Sequence, residues 1–195
     1  MNIGKTLYAK NRHEWRAWLS KNHTTAKEIW LIYYNKASGK PRIPYNDAVE
    51  EALCYGWIDS IVKKYDKDRA AQRFSPRNPK SNWSEMNIER VRRLIKQGKM
   101  TKAGLAVFND KTGVLTGKMK TDKDGNKRLV IPEDILRALK KDKTVWKNFQ
   151  KFPESYKRIR IGWIDASRNR QEAFRQRLQY FLKMTAKNKR FGMVQ

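Results

Sequence analysis

The chain has 195 residues, a formal net charge of +26 from 45 Lys and Arg against 19 Asp and Glu, and seven tryptophans within a hydrophobic fraction of 39%. This content of large apolar side chains excludes a disordered protein, because their burial offsets the entropy lost on ordering. No apolar run approaches the roughly 18 residues of a membrane span, and the first residues lack the apolar stretch of a secretory signal. With a single cysteine, Cys54, an internal disulfide is excluded, so we expect a soluble, cytoplasmic protein.

The basic excess indicates a polyanionic partner. Self-repulsion of this size opposes compaction unless counterions or a polyanion screen it, and nucleic acid releases condensed cations when its phosphates are neutralised. A generally solubilising charge is the alternative interpretation. The excess leans toward the C-terminal third without being confined to a tail, which favours a basic face on a folded domain.

The first part of the chain predicts a helix, a strand and a second helix. Three apolar positions have the spacing of one helix face: Trp15, Trp18 and Leu19. The aromatic and β-branched run 28–36 predicts a buried strand, and the Pro- and Gly-containing segment 38–44 predicts a loop. Asn46 or Asp47 is then expected to cap a helix that Gly56 ends.

A hairpin and a third helix are predicted next. The β-rich segments 57–65 and 69–74 can pair across a polar turn at 66–68. Ser84 has the position of an N-cap and Gly98 that of a C-cap for the helix that follows. Residues 1–109 are therefore predicted to form a small mixed domain with a sheet, and the fold class is α+β.

The chain changes character after this domain. Residues 110–128 are rich in Gly and Lys and predict a linker or loop. Residues 129–195 predict a helical domain: Pro132 suits the first position of a helix, Pro153 interrupts a second one, and an amphipathic helix follows. The other face of that last helix carries the cations that we predict to bind nucleic acid: Arg168, Arg170, Arg175, Arg177 and Lys183.

The tetrapeptide Gly-Trp-Ile-Asp occurs twice, at 56–59 and 162–165. The second copy is surrounded by a helical pattern, so Trp163 and Ile164 are expected to be core residues, and the repetition does not indicate a duplicated domain. The first copy opens a segment, 54–87, that is more polar than a packed core requires.

Two interpretations of this polar segment remain open. Asp59 can form an ion pair with Arg73 or Arg77 that orients two strands. Alternatively, the segment forms a ligand pocket with tryptophan walls, arginines that face an anion, and a helix N-terminus that supplies amide donors. The predicted ligand-binding residues are Trp57, Asp59, Arg73, Arg77, Ser81, Trp83, Ser84 and Asn87.

No cofactor or metal ion is expected. His13, His23 and Cys54 are too far apart in sequence to indicate a zinc site, and no Gly-rich nucleotide loop is present. Cys54 lies at the end of an apolar helix pattern, which favours a buried structural thiol over a nucleophile.

The ordered motifs GWIDS, RFSPR and SNWSEMN, at the spacing found here, resemble the YdeI/OmpD-associated family. The part from Leu129 to Leu182 is similar to that family's helical OmdA domain, and the N-terminal part is similar to the YjbR/CyaY-like class of small α+β domains. The resemblance implies an α+β fold and a cytoplasmic protein. The family's labels refer to bacteriocin protection and to association with an outer-membrane protein, and they imply no reaction.

The leading hypothesis is a basic, non-enzymatic protein that binds nucleic acid or acts in stress or bacteriocin protection. The alternative is an enzyme or binder of a small phosphorylated or anionic ligand, with Asp59 as acid or base. A protein-interaction module, as the family labels suggest, is a third hypothesis.

Overall fold

A computed structural model of the chain describes residues 2–108 and 129–192. The chain divides into two compact units, and within the described residues the first comprises 2–81 and 90–108 and the second 82–89 and 129–192. A four-stranded sheet in the first unit and several helices in the second confirm the α+β class. The predicted linker at 110–128 lies outside the described residues.

The first unit is built on a sheet with the strand order β1-β2-β4-β3. Its strands are β1 (Thr6–Leu7), β2 (Ile29–Tyr34), β3 (Trp57–Lys64) and β4 (Arg69–Pro76). β1 runs parallel to β2, whereas β4 is antiparallel to both β2 and β3. The helices of the first half of the chain are α1 (Arg12–Asn22), α2 (Tyr45–Cys54), α3 (Glu85–Lys96) and α4 (Lys102–Val107), of which α3 contributes residues 85–89 to the second unit.

The hairpin of β3 and β4 confirms the predicted strand pair. Its turn is closed by Tyr65, whose N–H donates to the carbonyl of Arg69 at 2.9 Å, and by Asp66, whose carboxylate accepts from the N–H groups of Asp68 and Arg69 at 2.9 and 2.8 Å. Asp and Asn stabilise turns by bonding to nearby backbone in this way. A register shift between Asp59 and Val62 marks a β-bulge in β3.

Aromatic side chains fill the space between this sheet and α1. Trp15 stacks on Trp18 with ring centroids 5.4 Å apart and packs against Phe74 of β4 at 5.3 Å. Trp18 meets Trp57 of β3 edge-on at 5.7 Å. The indole N–H of Trp15 donates to the carbonyl of Ala48 in α2 at 2.9 Å, so the polar atom of this buried ring is satisfied.

The predicted start of α2 is wrong. The helix begins at Tyr45, and Pro44, with extended backbone angles (φ −59°, ψ 141°), occupies the N-cap position. Asn46 and Asp47 therefore lie within the first turn, where neither can act as the cap. The predicted end is confirmed, because Gly56 has φ 75° and follows directly after the helix.

The predicted caps of α3 are confirmed. The hydroxyl of Ser84 accepts from the N–H of Asn87 at 3.3 Å, and its carbonyl accepts from the N–H of Ile88 at 3.0 Å. At the other end Gly98 has φ 64°, and the N–H of Lys99 donates to the carbonyl of Leu94 at 3.0 Å. This is the αL termination that glycine favours.

Cys54 is a buried residue at the end of α2, as predicted. Burial raises the pKa of its thiol to about 11, which keeps the sulfur protonated and unreactive at neutral pH. Its carbonyl accepts from both the N–H and the hydroxyl of Thr101, at 3.1 and 2.6 Å, and Gly104 of α4 packs against the same backbone. Helix α4 was not predicted, because its six residues are too few to show a periodic pattern.

The second unit contains α5 (Glu133–Lys140), α6 (Lys143–Lys151), α7 (Glu154–Asp165) and α8 (Gln171–Ala186). Its core consists of apolar residues from all four helices: Ile135, Leu139, Val145, Phe149, Phe152, Tyr156, Ile161, Ile164 and Phe181. The second Gly-Trp-Ile-Asp lies in α7, with Ile164 fully buried and Trp163 packed against the core, which confirms the expected structural role. Within the described ranges no helix has the length and apolar character needed to cross a bilayer.

The segment after α8 folds back onto the second unit. Asn188 has φ 52°, its N–H donates to the carbonyl of Thr185 at 2.9 Å, and the N–H of Lys189 donates to the carbonyl of Met184 at 2.9 Å. This pair of bonds is a Schellman motif with asparagine in the αL position. The reversal places Phe191 against the core aromatics.

Candidate functional site

Trp57, the first predicted wall of the ligand pocket, is a core residue. It is 1% exposed, it lies against Trp18, and its indole N–H donates to the carbonyl of His23 at 3.1 Å. Both the faces and the polar atom of the ring are therefore occupied by the protein, and a base cannot stack on it in this conformation.

The two predicted arginines do not pair with Asp59. Arg73 donates from Nε to Oε2 of Glu28 at 2.7 Å. Arg77 is buried, its backbone N–H donates to the carbonyl of Gly56 at 2.9 Å, and burial lowers the pKa of its guanidinium. In the part of the chain that the structure describes, Asp59 has no ion pair, so the predicted strand-orienting pair is not formed.

Asp59 is instead held by neutral donors on α2 and β4. Its Oδ2 accepts from the hydroxyl of Tyr45 at 2.9 Å and from the side-chain amide of Gln72 at 2.9 Å. Burial, with the charge and hydrogen bond of Asp59, raises the pKa of Tyr45 to about 12. Tyr33 of β2 lies close enough for Asp59 to raise its pKa in addition to the effect of burial, and its own hydroxyl is buried with no hydrogen-bond partner among the described residues. Sequence patterns gave no signal for this Asp–Tyr–Tyr–Gln cluster.

The remaining predicted pocket residues lie at the start of α3. Ser81 closes a turn by donating its hydroxyl to the carbonyl of Asn78 at 2.7 Å, and Ser84 caps the helix through Asn87. Trp83 is partly buried. Ser81 belongs to the first unit whereas Trp83, Ser84 and Asn87 belong to the second, so the predicted set is divided between the two units.

Two of the five predicted nucleic-acid-binding cations are engaged within the second unit. Arg168 makes a bidentate pair with Asp134, at 3.0 and 2.9 Å, and a further bond to Asp165 at 2.5 Å, and these carboxylates raise its pKa. Arg177 donates to the carbonyl of Trp163 at 2.6 Å and lies over the ring of that residue, 4.7 Å from its centroid. The charge of Arg168 is therefore partly neutralised by carboxylates, and a donor of Arg177 is occupied by a backbone carbonyl.

The other three predicted cations are exposed but point in different directions. Arg170 is the N-cap residue of α8, Arg175 pairs with Glu172 at 3.3 Å, and Lys183 lies two turns farther along the helix. At 100° per residue, Arg175 and Arg170 flank opposite sides of the apolar stripe of α8, and Lys183 lies away from both. An open groove of about 370 Å³ near the start of α8 is lined by Arg168, Gln171, Phe174, Arg175 and Leu178.

Further exposed cations occur near the end of α8, in the segment after it and on the neighbouring helix α6. We call this group the basic end of α8, and it consists of Lys147, Lys151, Lys183, Lys187, Lys189 and Arg190. The side-chain amide of Asn148 donates to the carbonyls of Thr185 and Ala186 at 3.0 and 3.1 Å, which brings α6, with Lys147 and Lys151, next to this terminus. None of the six forms an ion pair with a carboxylate of the described residues. Only Lys183 was among the predicted residues, because the others follow or flank the helix that carried the periodic signal.

Arg160 of α7 is a buried cation without an anion. It is 4% exposed, and its Nε and Nη2 are buried with no hydrogen-bond acceptor in residues 2–108 or 129–192. Three rings surround its guanidinium carbon, those of Tyr156, Trp163 and Phe191, with centroids at 5.4, 5.7 and 4.4 Å. Burial lowers the pKa of this guanidinium. The buried ammonium of Lys157 on the same helix has partners, in contrast, since it donates to Glu154 at 2.7 Å and to the carbonyl of Gln150 at 3.0 Å.

No group of three or more His, Cys, Asp or Glu that could hold a metal ion occurs among the described residues.

Comparison with known families gives two matches: a domain of unknown function, DUF8412, matches residues 7–107, and a domain described as bacteriocin-protection, YdeI or OmpD-associated matches residues 128–188. The comparisons with curated proteins and with solved structures found no match. These matches do not include the YjbR/CyaY-like class, and that resemblance stays a prediction. Because the first match covers more than half of the 195-residue chain, the chain belongs to the DUF8412 family, and it carries in addition an OmdA domain of the YdeI/OmpD-associated group.

Proposed function

We propose that this protein is a non-enzymatic binder of nucleic acid that contacts phosphates through the basic end of α8. The observation that carries the proposal is the group of six exposed cations, contributed by α6, by α8 and by the segment after α8, that no carboxylate of the described residues neutralises. Cations at a helix C-terminus also interact favourably with the helix dipole, but that interaction needs one or two of them and not six.

The interface consists mainly of lysines and differs from the arginine-rich set that the sequence predicted. Arg168 and Arg177 already have partners, so replacing them by phosphate oxygens would exchange one interaction for another with little gain. The lysines of the basic end exchange only water and mobile ions. Neutralising phosphates with such side chains releases condensed counterions and makes the affinity strongly dependent on salt.

Salt dependence of binding tests this function. A variant with Lys183, Lys187, Lys189 and Arg190 all replaced by Gln is expected to reduce the slope of log K against log salt on single-stranded DNA by about 3, and to weaken binding at low salt at least about tenfold. Fluorescence anisotropy of a labelled oligothymidylate, titrated at several salt concentrations, measures both quantities.

A charge-matched control separates a binding surface from net charge. Replacing Lys10, Lys27, Lys36 and Lys67 by Gln removes the same charge from exposed positions of the first unit. This control is expected to keep most of the wild-type slope. Equal losses in both variants would assign the effect to overall charge, and wild-type binding that does not change with salt would contradict the phosphate-contact model.

A second candidate function is the binding of a small polar molecule at Asp59. It is supported by two groups that interact electrostatically: a carboxylate whose Oδ1 accepts no hydrogen bond from the described residues, and a buried Tyr33 hydroxyl without a partner among them. A ligand that donates to Asp59 and accepts from Tyr33 satisfies both groups. The absence of an ion pair at Asp59 gives no support to an anionic ligand or to an acid or base role here.

Tyr33→Phe distinguishes a binding group from a structural one. If the hydroxyl has no partner, its removal is expected to change the free energy of unfolding by less than about 0.5 kcal/mol, or to increase it. Asp59→Asn, which disturbs two existing hydrogen bonds to a charged group, is the comparison and is expected to cost about 2 kcal/mol. Urea denaturation followed by tryptophan fluorescence measures both. A loss above about 1.5 kcal/mol for Tyr33→Phe would show a structural partner for the hydroxyl and remove the support for this site.

The description of the second domain also mentions bacteriocin protection and OmpD association. A role of that kind in this protein remains compatible with nucleic-acid binding, and protein partners that persist after nuclease treatment would favour it over the proposed function.

A further inference from the structure

Arg160 is placed where a cation reduces stability unless it serves another purpose. A buried charge is ordinarily paired with an opposite charge, because removing it from water is costly. Here the surrounding aromatic rings offer only cation–π attraction, and Nε and Nη2 remain without an acceptor among the described residues. An apolar side chain of similar length would fill the same space. The unused donors of Arg160 are therefore suited to binding an anion such as a phosphate.

The cover over Arg160 is formed by two residues of the segment after α8. The ring of Phe191 lies over the guanidinium at 4.4 Å and meets the rings of Tyr180 and Trp163 edge-on at 4.8 and 5.8 Å. The N–H of Phe191 donates to the hydroxyl of Tyr156 at 3.3 Å. Gly192, with φ 74°, follows so closely that a Cβ there would lie 2.4 Å from Nη2 of Arg160.

The slot that Phe191 occupies has the chemistry of a nucleotide site. It combines a planar guanidinium, which lies over the ring of Phe191, with aromatic rings that meet Phe191 edge-on. Proteins hold the bases and phosphates of single strands with such cationic and aromatic groups without reading their sequence. A phenylalanine ring is an apolar substitute for a base, but it brings no phosphate for the donors of Arg160. The basic end of α8 begins immediately beside the slot, since Arg190 precedes Phe191 in the chain.

We propose that Phe191 and Gly192 cover a nucleotide-binding slot in which one unstacked base of a single-stranded nucleic acid replaces the ring of Phe191 while a phosphate pairs with Arg160. This inference rests on the proposed function and specifies its partner as a single strand, because a base within a duplex is stacked and paired and cannot enter. The basic end of α8 supplies the salt-dependent attraction, and the slot supplies the preference for unpaired bases.

Gly192→Ala tests the cover without changing the charge of the protein. The added methyl group would lie 2.4 Å from Nη2 of Arg160, and φ 74° is unfavourable for any residue with a Cβ, so either the guanidinium or the segment must shift and the closed cover is weakened. Only open molecules can bind, so the apparent affinity is proportional to the fraction of molecules that are open. Opening is therefore expected to raise the affinity for an oligothymidylate of about 12 nucleotides roughly five- to tenfold. The affinity for a duplex of the same length is expected to stay within about twofold of wild type. Gly39→Ala is the matched control, since Gly39 has φ 65° and open space around it, and so carries the same backbone strain without the collision.

Two further variants complete the test. Phe191→Ala removes the covering ring by a different route and is expected to raise single-strand affinity in the same way, which keeps the test informative if Gly192→Ala perturbs folding. Adding Arg160→Met to either variant is expected to cancel the gain, because the phosphate loses its partner. Circular dichroism and the total tryptophan emission establish that each variant is folded.

The outcomes separate this inference from the function on which it rests. Salt-dependent binding by the wild type with no gain in Gly192→Ala and Phe191→Ala overturns the slot and leaves the proposed function intact. A gain that persists with Arg160→Met overturns the role of Arg160, and an equal gain on duplex overturns the single-strand specificity. Absence of binding by the wild type and by the opened variants overturns both.

Discussion

Replacing Gly104 by alanine is expected to lower the free energy of unfolding of the first unit by about 3 kcal/mol, although helix propensity alone predicts a gain of about 1 kcal/mol. A Cβ at this position would lie 2.2 Å from the carbonyl oxygen of Cys54, 2.7 Å from its carbonyl carbon and 2.8 Å from the carbonyl oxygen of Leu53. All three are backbone atoms at the end of α2, so no side chain can rotate away to relieve the collision. Helix α4 must shift instead, and the two hydrogen bonds from Thr101 to Cys54 are lost with it.

The reverse substitution on the same helix provides the control. Ala106 is exposed in α4, and Ala106→Gly is expected to cost about 1 kcal/mol through helix propensity alone. Urea denaturation monitored by tryptophan fluorescence gives both values. A Gly104→Ala protein as stable as the wild type, or more stable, would show that α4 does not pack on α2 as closely as described.

Glu51→Gln is expected to cost about 3 kcal/mol, since removal of this buried carboxylate leaves Arg16 without an ion pair among the described residues and Arg12 with only Glu50 and Asp47 there. Glu51 is 2% exposed and binds two arginines of α1: Oε1 accepts from Arg12 and Oε2 accepts from Arg16 at 2.6 Å. Burial by itself lowers the pKa of Arg12, but the hydrogen bonds and charges of Glu51 and Glu50 together outweigh it and raise that pKa. The carboxylate thus joins α1 to α2 across their contact.

Asp47→Asn is the matched comparison for this ion network. Asp47 also pairs with Arg12, at 3.3 Å, but both side chains are about one third exposed, at 36% and 30%. Exposed pairs of this kind contribute about 0–1 kcal/mol. Thermal or urea unfolding of the two variants should therefore differ by about 2 kcal/mol, and equal losses would contradict the assigned difference in burial.

Local signals in the sequence predicted the elements of the fold well. Turn and cap chemistry acts over a few residues, so Ser84, Gly98 and the turn at Asp66 could be recognised without knowledge of the partners. The start of α2 was misplaced because a proline at the N-cap and a polar residue in the first turn give overlapping signals. The ends of elements are decided by backbone angles that side-chain pattern alone does not specify.

The candidate site could not be predicted in the same way, because its contacts join distant parts of the chain. Asp59 lies 14 and 13 residues from Tyr45 and Gln72. Arg73 and Arg77 are at similar separations and suggested an ion pair, but Arg73 pairs with Glu28 and the contacts of Asp59 are made by Tyr45 and Gln72 instead. Trp57 appeared in a polar segment and yet faces α1, since a strand places successive side chains on opposite faces.

Helix α7 of the second unit also contains residues whose environment the sequence pattern does not predict. Its buried residues include Lys157, Arg158 and Arg160, so the apolar periodicity that marks an amphipathic helix is interrupted by charge. The apolar pattern of the sequence therefore gives no signal for Arg160. Burial, aromatic neighbours and unused donors identify Arg160, and all three depend on contacts that form only in the folded chain.

The burial of Cys54 also decides how each unit can be labelled for observation. The sequence contains no other cysteine, and burial raises the pKa of this thiol to about 11. A maleimide dye at neutral pH will therefore react with an introduced surface thiol in strong preference to the native one. Lys102→Cys and Glu172→Cys each place a single fluorophore without prior removal of Cys54, so the response of either unit to a nucleic acid can be followed by site-specific labelling.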